Sequence, residues 1–187
     1  MRALLIKIAV LSALLVVLFV SFGVAASQKE RIITMRIEKL TFNYAEELYW
    51  DKEQFNQQYK IYSKDKAKYL KDFVKNFSIK FLKSNLKATN WSVSFKSQYE
   101  MKTDKLTYST LIQCKIDGAA TGRAQNPYFR TEWLLIPILG NRVDLYGFKY
   151  ITDKVLAYRG KVNHIPITIV IRSPKPISHC HYHIWYK

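Results

Sequence analysis

This chain is poor in everything that marks a familiar active site. It has no HExxH, no CxxC and no glycine-rich phosphate loop, which removes the metalloprotease, dithiol-redox and phosphate-cradling chemistries that depend on those spacings. Cysteine is reduced to Cys114 and Cys180, histidine to four residues, and Asp and Glu number 14 against 30 Lys and Arg, giving a formal charge of +16 over 187 residues. A nucleophilic triad needs a Ser or Cys, a histidine and an acidic orienter that converge in space. Cys180 cannot form one with His179 and His181 by adjacency, because neighbours on a strand point to opposite faces. The pair Glu46-Glu47 lies near a predicted helix start, where negative charge offsets the macrodipole. No internal repeat, low-complexity segment or dense Lys/Arg block is present. These absences favour a binding module over an enzyme.

What the chain does have begins at its N-terminus. A short basic head, Arg2 and Lys7, precedes Ile8 to Ala26, a run without a single charge. At about 19 residues it approaches the ~20 that span a bilayer as a helix. Val24-Ala25-Ala26 before Ser27 also fits a signal-peptidase site. An uncleaved anchor and a cleaved signal peptide therefore both stand. In either case the positive head stays inside and the rest lies outside the cytoplasm. The expected organisation is residues 1–26 as signal peptide or transmembrane anchor and 27–187 as one extracytoplasmic domain, either single-pass in the cell membrane or secreted.

The basic balance survives removal of that segment. All 14 acidic residues and 28 of the 30 basic ones lie beyond residue 26, leaving +14. Such a field attracts polyanions, among them acidic lipid head groups and anionic envelope polymers. The two cysteines suit an oxidising compartment, and a Cys114–Cys180 disulfide would close a loop of about 65 residues worth on the order of 4 kcal/mol; two buried free thiols are the alternative.

The hydrophobic pattern predicts one strand from Ile32 to Tyr44, then a helix starting at Asp51 with Gln54 three residues on, and Phe55, Tyr59 and Tyr62 on one face. Tyr69, Leu70, Phe73, Val74, Phe77, Phe81 and Leu82 continue that spacing toward Leu86, as one long amphipathic helix or two broken near Ser63. Lys64, Lys68, Lys71 and Lys75 occupy its polar side, the candidate basic surface. The remainder reads as antiparallel strands. Trp91 to Met101 turns at Thr103-Asp104 into Leu106 to Ile116, which points Cys114 inward. After a loop from Asp117 to Asn126, Tyr128 to Ile138 turns at Gly140-Asn141 into Arg142 to Tyr150, and Val155 to Val162 turns at Asn163-His164 into Ile165 to Arg172. Ile177 to Tyr186 closes the series. The expected class is α+β: one strand, then the amphipathic helix packed on a curved antiparallel sheet of about six to eight strands. That order is similar to cystatin-like and helix-grip domains at the level of fold alone, and no sequence motif carries either analogy.

One cluster could carry chemistry. On a single strand His179, His181 and His183 share a face with Cα atoms about 6.5 Å apart, while Cys180, Tyr182 and Ile184 face the other way. Two adjacent rungs could hold zinc or another transition metal with a further ligand from elsewhere; the outer pair, about 13 Å apart, could not. Solvated edge histidines, or a pH-responsive anion site, are the other readings. His164, in a turn, reads as conformational. Aromatic and basic residues mix at Tyr128-Phe129-Arg130 and Tyr158-Arg159, as on stacking platforms for polymers, although alternating aromatics more often build a core. The leading expectation is an envelope module with a basic surface for anionic lipid, an envelope polymer or an envelope protein partner, and not for nucleic acid. The alternative is a metal-binding domain or metalloenzyme on His179, His181 and His183.

Overall fold

From Arg31 onward the odd-numbered residues turn inward, and Ile33, Met35 and Ile37 are fully buried while Thr34, Arg36 and Glu38 face outward. The computed structural model describes residues 28–81, 86–123, 125–132, 135 and 145–187, with the side chains of 78–81 excluded. Its first element is β1 (Gln28–Glu38), which pairs antiparallel with β2 (Thr41–Trp50). The single strand expected over Ile32 to Tyr44 is thus a hairpin. Its turn, Lys39-Leu40, places Lys39 at φ 52 without the Gly or Asn that normally announces such a bend.

Asp51 caps α1 (Lys52–Lys64), its carboxylate accepting the Gln54 N–H at 2.9 Å. The helix stops at Asp65, which in turn accepts the Lys68 N–H at 2.9 Å and starts α2 (Lys66–Phe81). Both rest against the hairpin of β3 (Lys87–Glu100) and β4 (Lys105–Asp117). Phe55 meets Phe95 and Tyr108, and Phe73 and Phe77 meet Trp91. Short strands β5 (Ala120–Thr121) and β6 (Tyr128–Arg130) follow, then a 3₁₀ turn at Leu145–Gly147. The chain ends in β7 (Lys149–Thr152), β8 (Val155–Val162), β9 (Ile165–Arg172), β10 (Ile177–Cys180) and β11 (His183–Tyr186). The Asn163-His164 turn stands where the spacing puts it, with φ 49 and 68. The Gly140-Asn141 turn lies outside the described residues.

The expected α+β class is overturned. Among the described residues the fold is mostly β, with eleven strands in two sheets and two short helices, in place of a long amphipathic helix, single or broken near Ser63, on one curved sheet. The larger sheet runs β3-β4-β2-β1-β9-β8-β7 and the smaller β10-β11-β6-β5. All pairings are antiparallel except β1 with β9, where Ile33 lies beside Ile169 and Arg36 beside Arg172. The core fills the space between the inner face of the large sheet and the small sheet, which contributes Phe129, Ile177 and Ile184. Two layers burying one apolar face each is the general solution for such sheets. No helix among the described residues is long and apolar enough to cross a membrane; the run Ile8 to Ala26 lies outside them.

Among the described residues a pair of opposite charges reaches the inner face of the sheet. Glu46 on β2 is buried, accepts a hydrogen bond from the Tyr44 hydroxyl at 2.8 Å, and pairs with the Arg31 guanidinium. Burial works against the Arg31 charge, and the adjacent Glu46 more than restores it, so its pKa rises.

Candidate functional site

The outer face of the large sheet mixes polar residues with Ile32, Leu111 and Val170, and its strand register builds a row of cations across one end of it. Arg36 on β1 is the direct partner of Arg172 on β9 to one side and Asn43 on β2 to the other, and Asn43 is the partner of Lys115 on β4. Direct partners project to the same face. Arg172, Arg36 and Lys115 therefore stand in one line, the last two separated by two strand spacings or roughly 10 Å between Cα atoms. Beside this row lies a hollow of about 450 Å³, lined by Thr34, Arg36, Asn43, Asn90, Gln113 and Lys115 among others.

A β-bulge shapes the hollow. The β3–β4 register shifts between Thr89 and Ser92, and Asn90 takes φ 55. The extra residue lets Trp91 turn inward against Phe77 while Asn90 borders the hollow on the outer side. Among the described residues Arg36, Arg172 and Lys115 form no ion pair. Like charges directly opposite one another on a sheet are unfavourable without a counter-charge. Glu38 follows Arg36 on the same face and borders a neighbouring hollow with Lys39 and Lys115. Asp117 lies two residues beyond Lys115 on the same face of β4 and, among the described residues, forms no ion pair with it, while at the opposite end of the strands Glu47 accepts from the Ser109 hydroxyl at 2.8 Å and Tyr49 is pushed up to about 12 by burial and its hydrogen bond to Glu47. The arrangement suits an anion with several oxygens, because guanidinium groups donate in pairs and neighbouring amides can complete the shell.

The histidine ladder does not survive as drawn. Ile177 to Tyr186 is a hairpin rather than one strand: β10 and β11 pair Cys180 with His183 and His179 with Ile184, and His181-Tyr182 forms the turn with His181 at φ 48. His183 consequently shares a face with Cys180, and His179 shares one with buried Ile184. Each ring has its own tyrosine, His179 with Tyr150 at 5.0 Å, His181 with Tyr146 at 4.7 Å and His183 with Tyr128 at 4.7 Å. Burial lowers the pKa of His179, opposed by a backbone hydrogen bond at Leu145. His183 Nε2 lies 3.9 Å from Glu132 Oε2. Among the described residues no group of three His, Cys, Asp or Glu side chains stands together as a metal site.

Cys114 is buried on β4 and Cys180 half-buried on β10, both as free thiols; the Cys180 Sγ lies 3.2 Å from the Tyr146 hydroxyl. Lys64, Lys68, Lys71 and Lys75 are exposed on α1 and α2, the first two beside a hollow with Ile61, Tyr69 and Phe73. Of the polymer-stacking residues, Phe129 is in the core and Tyr158 packs on Phe148. Sequence reasoning missed Arg36, Asn43, Lys115 and Arg172. The alternation of β1 was a signal for the outward direction of Arg36, but its meeting with Arg172 depends on a parallel pairing that alternation does not encode. No family model, curated protein or solved structure matches this chain.

Proposed function

We propose that this protein is an envelope binding module, held outside the cytoplasmic membrane by residues 1–26 or released by cleavage after Ala26, that captures an anionic envelope component in the Arg36–Arg172–Lys115 groove. The observation that carries the reading is the side-by-side placement of Arg36 and Arg172 on one face, with Lys115 two strands from Arg36 and a hollow bordered by both Arg36 and Lys115. Position agrees with it. β1 leads from Gln28 to Arg36, roughly 26 Å at strand rise, so the groove sits toward the end of the sheet remote from Gln28, where residues 1–27 join the domain. That favours a soluble or wall-borne polyanion over the head groups of the protein's own membrane. The exposed lysines of α1 and α2 add to the field that draws such a ligand in.

Binding of a fluorescent polyphosphate or polyuronate to the full chain in detergent tests this. Affinity should fall steeply with ionic strength. Each of Arg36→Ala and Arg172→Ala should weaken it about tenfold or more, as loss of a charge-assisted hydrogen bond does. Replacing Lys64, Lys68, Lys71 and Lys75 together by Gln should mainly slow association, since distant charges steer rather than hold. Unchanged affinity in Arg36→Ala/Arg172→Ala would remove the groove as the site, and chelator-sensitive activity lost in His181→Ala would favour the metal alternative.

A further inference from the structure

The sheet register also says which end of the domain the apolar run joins. Ala26 lies two residues before Gln28, which pairs with Trp50 at the end of β2, and Trp50 pairs with Tyr108 of β4. The β3–β4 hairpin does not stop at that row. It continues through Gln98–Thr107, Tyr99–Leu106 and Glu100–Lys105 before turning at residues 101–104. Three further pairs reach roughly 10 Å past the row, at the end of the sheet where Gln28 takes up the chain.

This projecting tip exposes three large hydrophobic side chains among polar ones. Met101 is 86% exposed, Tyr99 56% and Leu106 51%. Tyr99 and Leu106 are direct cross-strand partners and so extend one face together. The two acids of the tip are used locally: Asp104 accepts from the Tyr99 hydroxyl, and Glu100 accepts from the Thr103 hydroxyl at 2.9 Å. Lys102 and Lys105 are exposed beside them. A methionine, a tyrosine and a leucine beside Lys102 and Lys105, the latter paired across the strands with Glu100, match the boundary between acyl chains and head groups, where aromatic and lysine side chains bury an apolar body and keep a polar end wet.

We infer that the β3–β4 tip is a second membrane contact, seated in the anionic head-group layer of the bilayer that holds the N-terminal run. It rests on the anchoring part of the reading above and adds a fixed orientation: tip down, Arg36 groove away from the lipid. The test uses the full chain in mixed phosphatidylcholine–phosphatidylglycerol vesicles, with Cys180→Ser as background because Cys114 is buried. An environment-sensitive fluorophore is placed by Met101→Cys and, at the opposite end of the sheet, by Lys39→Cys. The label at 101 should shift to shorter wavelength and be quenched several-fold more by lipids carrying a quencher near the head group than the label at 39. Unquenched label at 101 on chain that floats with the vesicles would overturn the tip contact while leaving anchoring intact. Equal quenching at both positions would overturn the orientation. A blue shift at 101 without lipid quenching would assign the tip to a protein partner or a second copy. Failure of the chain to float would overturn anchoring, and the tip contact with it.

Discussion

Glu46 shows how much a single residue's setting can depart from its sequence context. Read along the chain, Glu46-Glu47 borders a helix; in the fold Glu46 is a carboxylate inside the core, opposite Ile33 and Ile112, held by Arg31 and Tyr44. Removing one partner of such a buried pair is costly, because the other charge is left uncompensated. The inward direction of Cys114, by contrast, was legible from the alternation of Leu106 to Ile116, since its neighbours fix the face. Its thiol is pushed from 9.0 up to about 12 by burial and then by Glu46, and the Tyr44 phenol beside them is raised well above 10.0 by burial first. The unfolded chain ionises that thiol near 9 while the folded chain keeps the proton, so the folded state binds more protons above that pH. The Cys114 contribution to stability is therefore fully present below pH 9 and is lost as pH rises toward about 12. One such group contributes a slope of up to about 1.4 kcal/mol per pH unit. Denaturant unfolding of the full chain at increasing alkaline pH should show this decline, and Cys114→Ala should flatten it by about one proton. An unchanged slope in Cys114→Ala would mean that the thiol ionises alike in both states.

At the scale of the element, the informative cases are turns that need φ above zero. Asn163-His164 was legible, because Asn tolerates the left-handed region and the flanking isoleucines alternate. Lys39 and His181 adopt the same region without any such signal. The first hid a hairpin inside one apparent strand; the second turned an apparent ladder into two short strands with three separate histidine environments. The helix break was one of the two readings of the sequence, placed near Ser63, and it falls two residues on at Asp65, whose carboxylate caps the second helix at the Lys68 N–H. His181 offers the sharpest test. His181→Gly should leave the β10–β11 hairpin intact, whereas His181→Val should cost about 1 kcal/mol or more, because a β-branched side chain fits poorly at that φ. Thermal unfolding of the two variants reads the difference. Equal stability would show that the turn is not held in the left-handed conformation, and would reopen the single strand.

For the whole molecule, alternation marks strands but says nothing about who lies beside whom. A reading that joins neighbours in sequence yields a meander, because consecutive elements usually are adjacent. Here β1 is instead enclosed between β2 and β9, so the first strand of the domain meets its second neighbour only after the chain has nearly ended. That closure aligns Ile33 and Met35 with Ile169 and Ile171 in the core, and on the other face it makes the Arg36–Arg172 pair. Stability and the candidate site thus share one long-range contact. Long-range pairing is slow to form, since the chain-closure entropy precedes any gain from burial. A chain ending before Ile165 should consequently lose more than its last strands: the backbone amides of Arg31 to Arg36 that depend on β9 should exchange freely, and polyanion affinity should drop to the level of Arg172→Ala or below. Hydrogen exchange by mass spectrometry on the full and shortened chains checks the first, and the fluorescent polyanion checks the second. Retained protection of β1 in the shortened chain would mean that β1 to β4 and their two helices fold as an independent unit, with β9 added only to complete the groove.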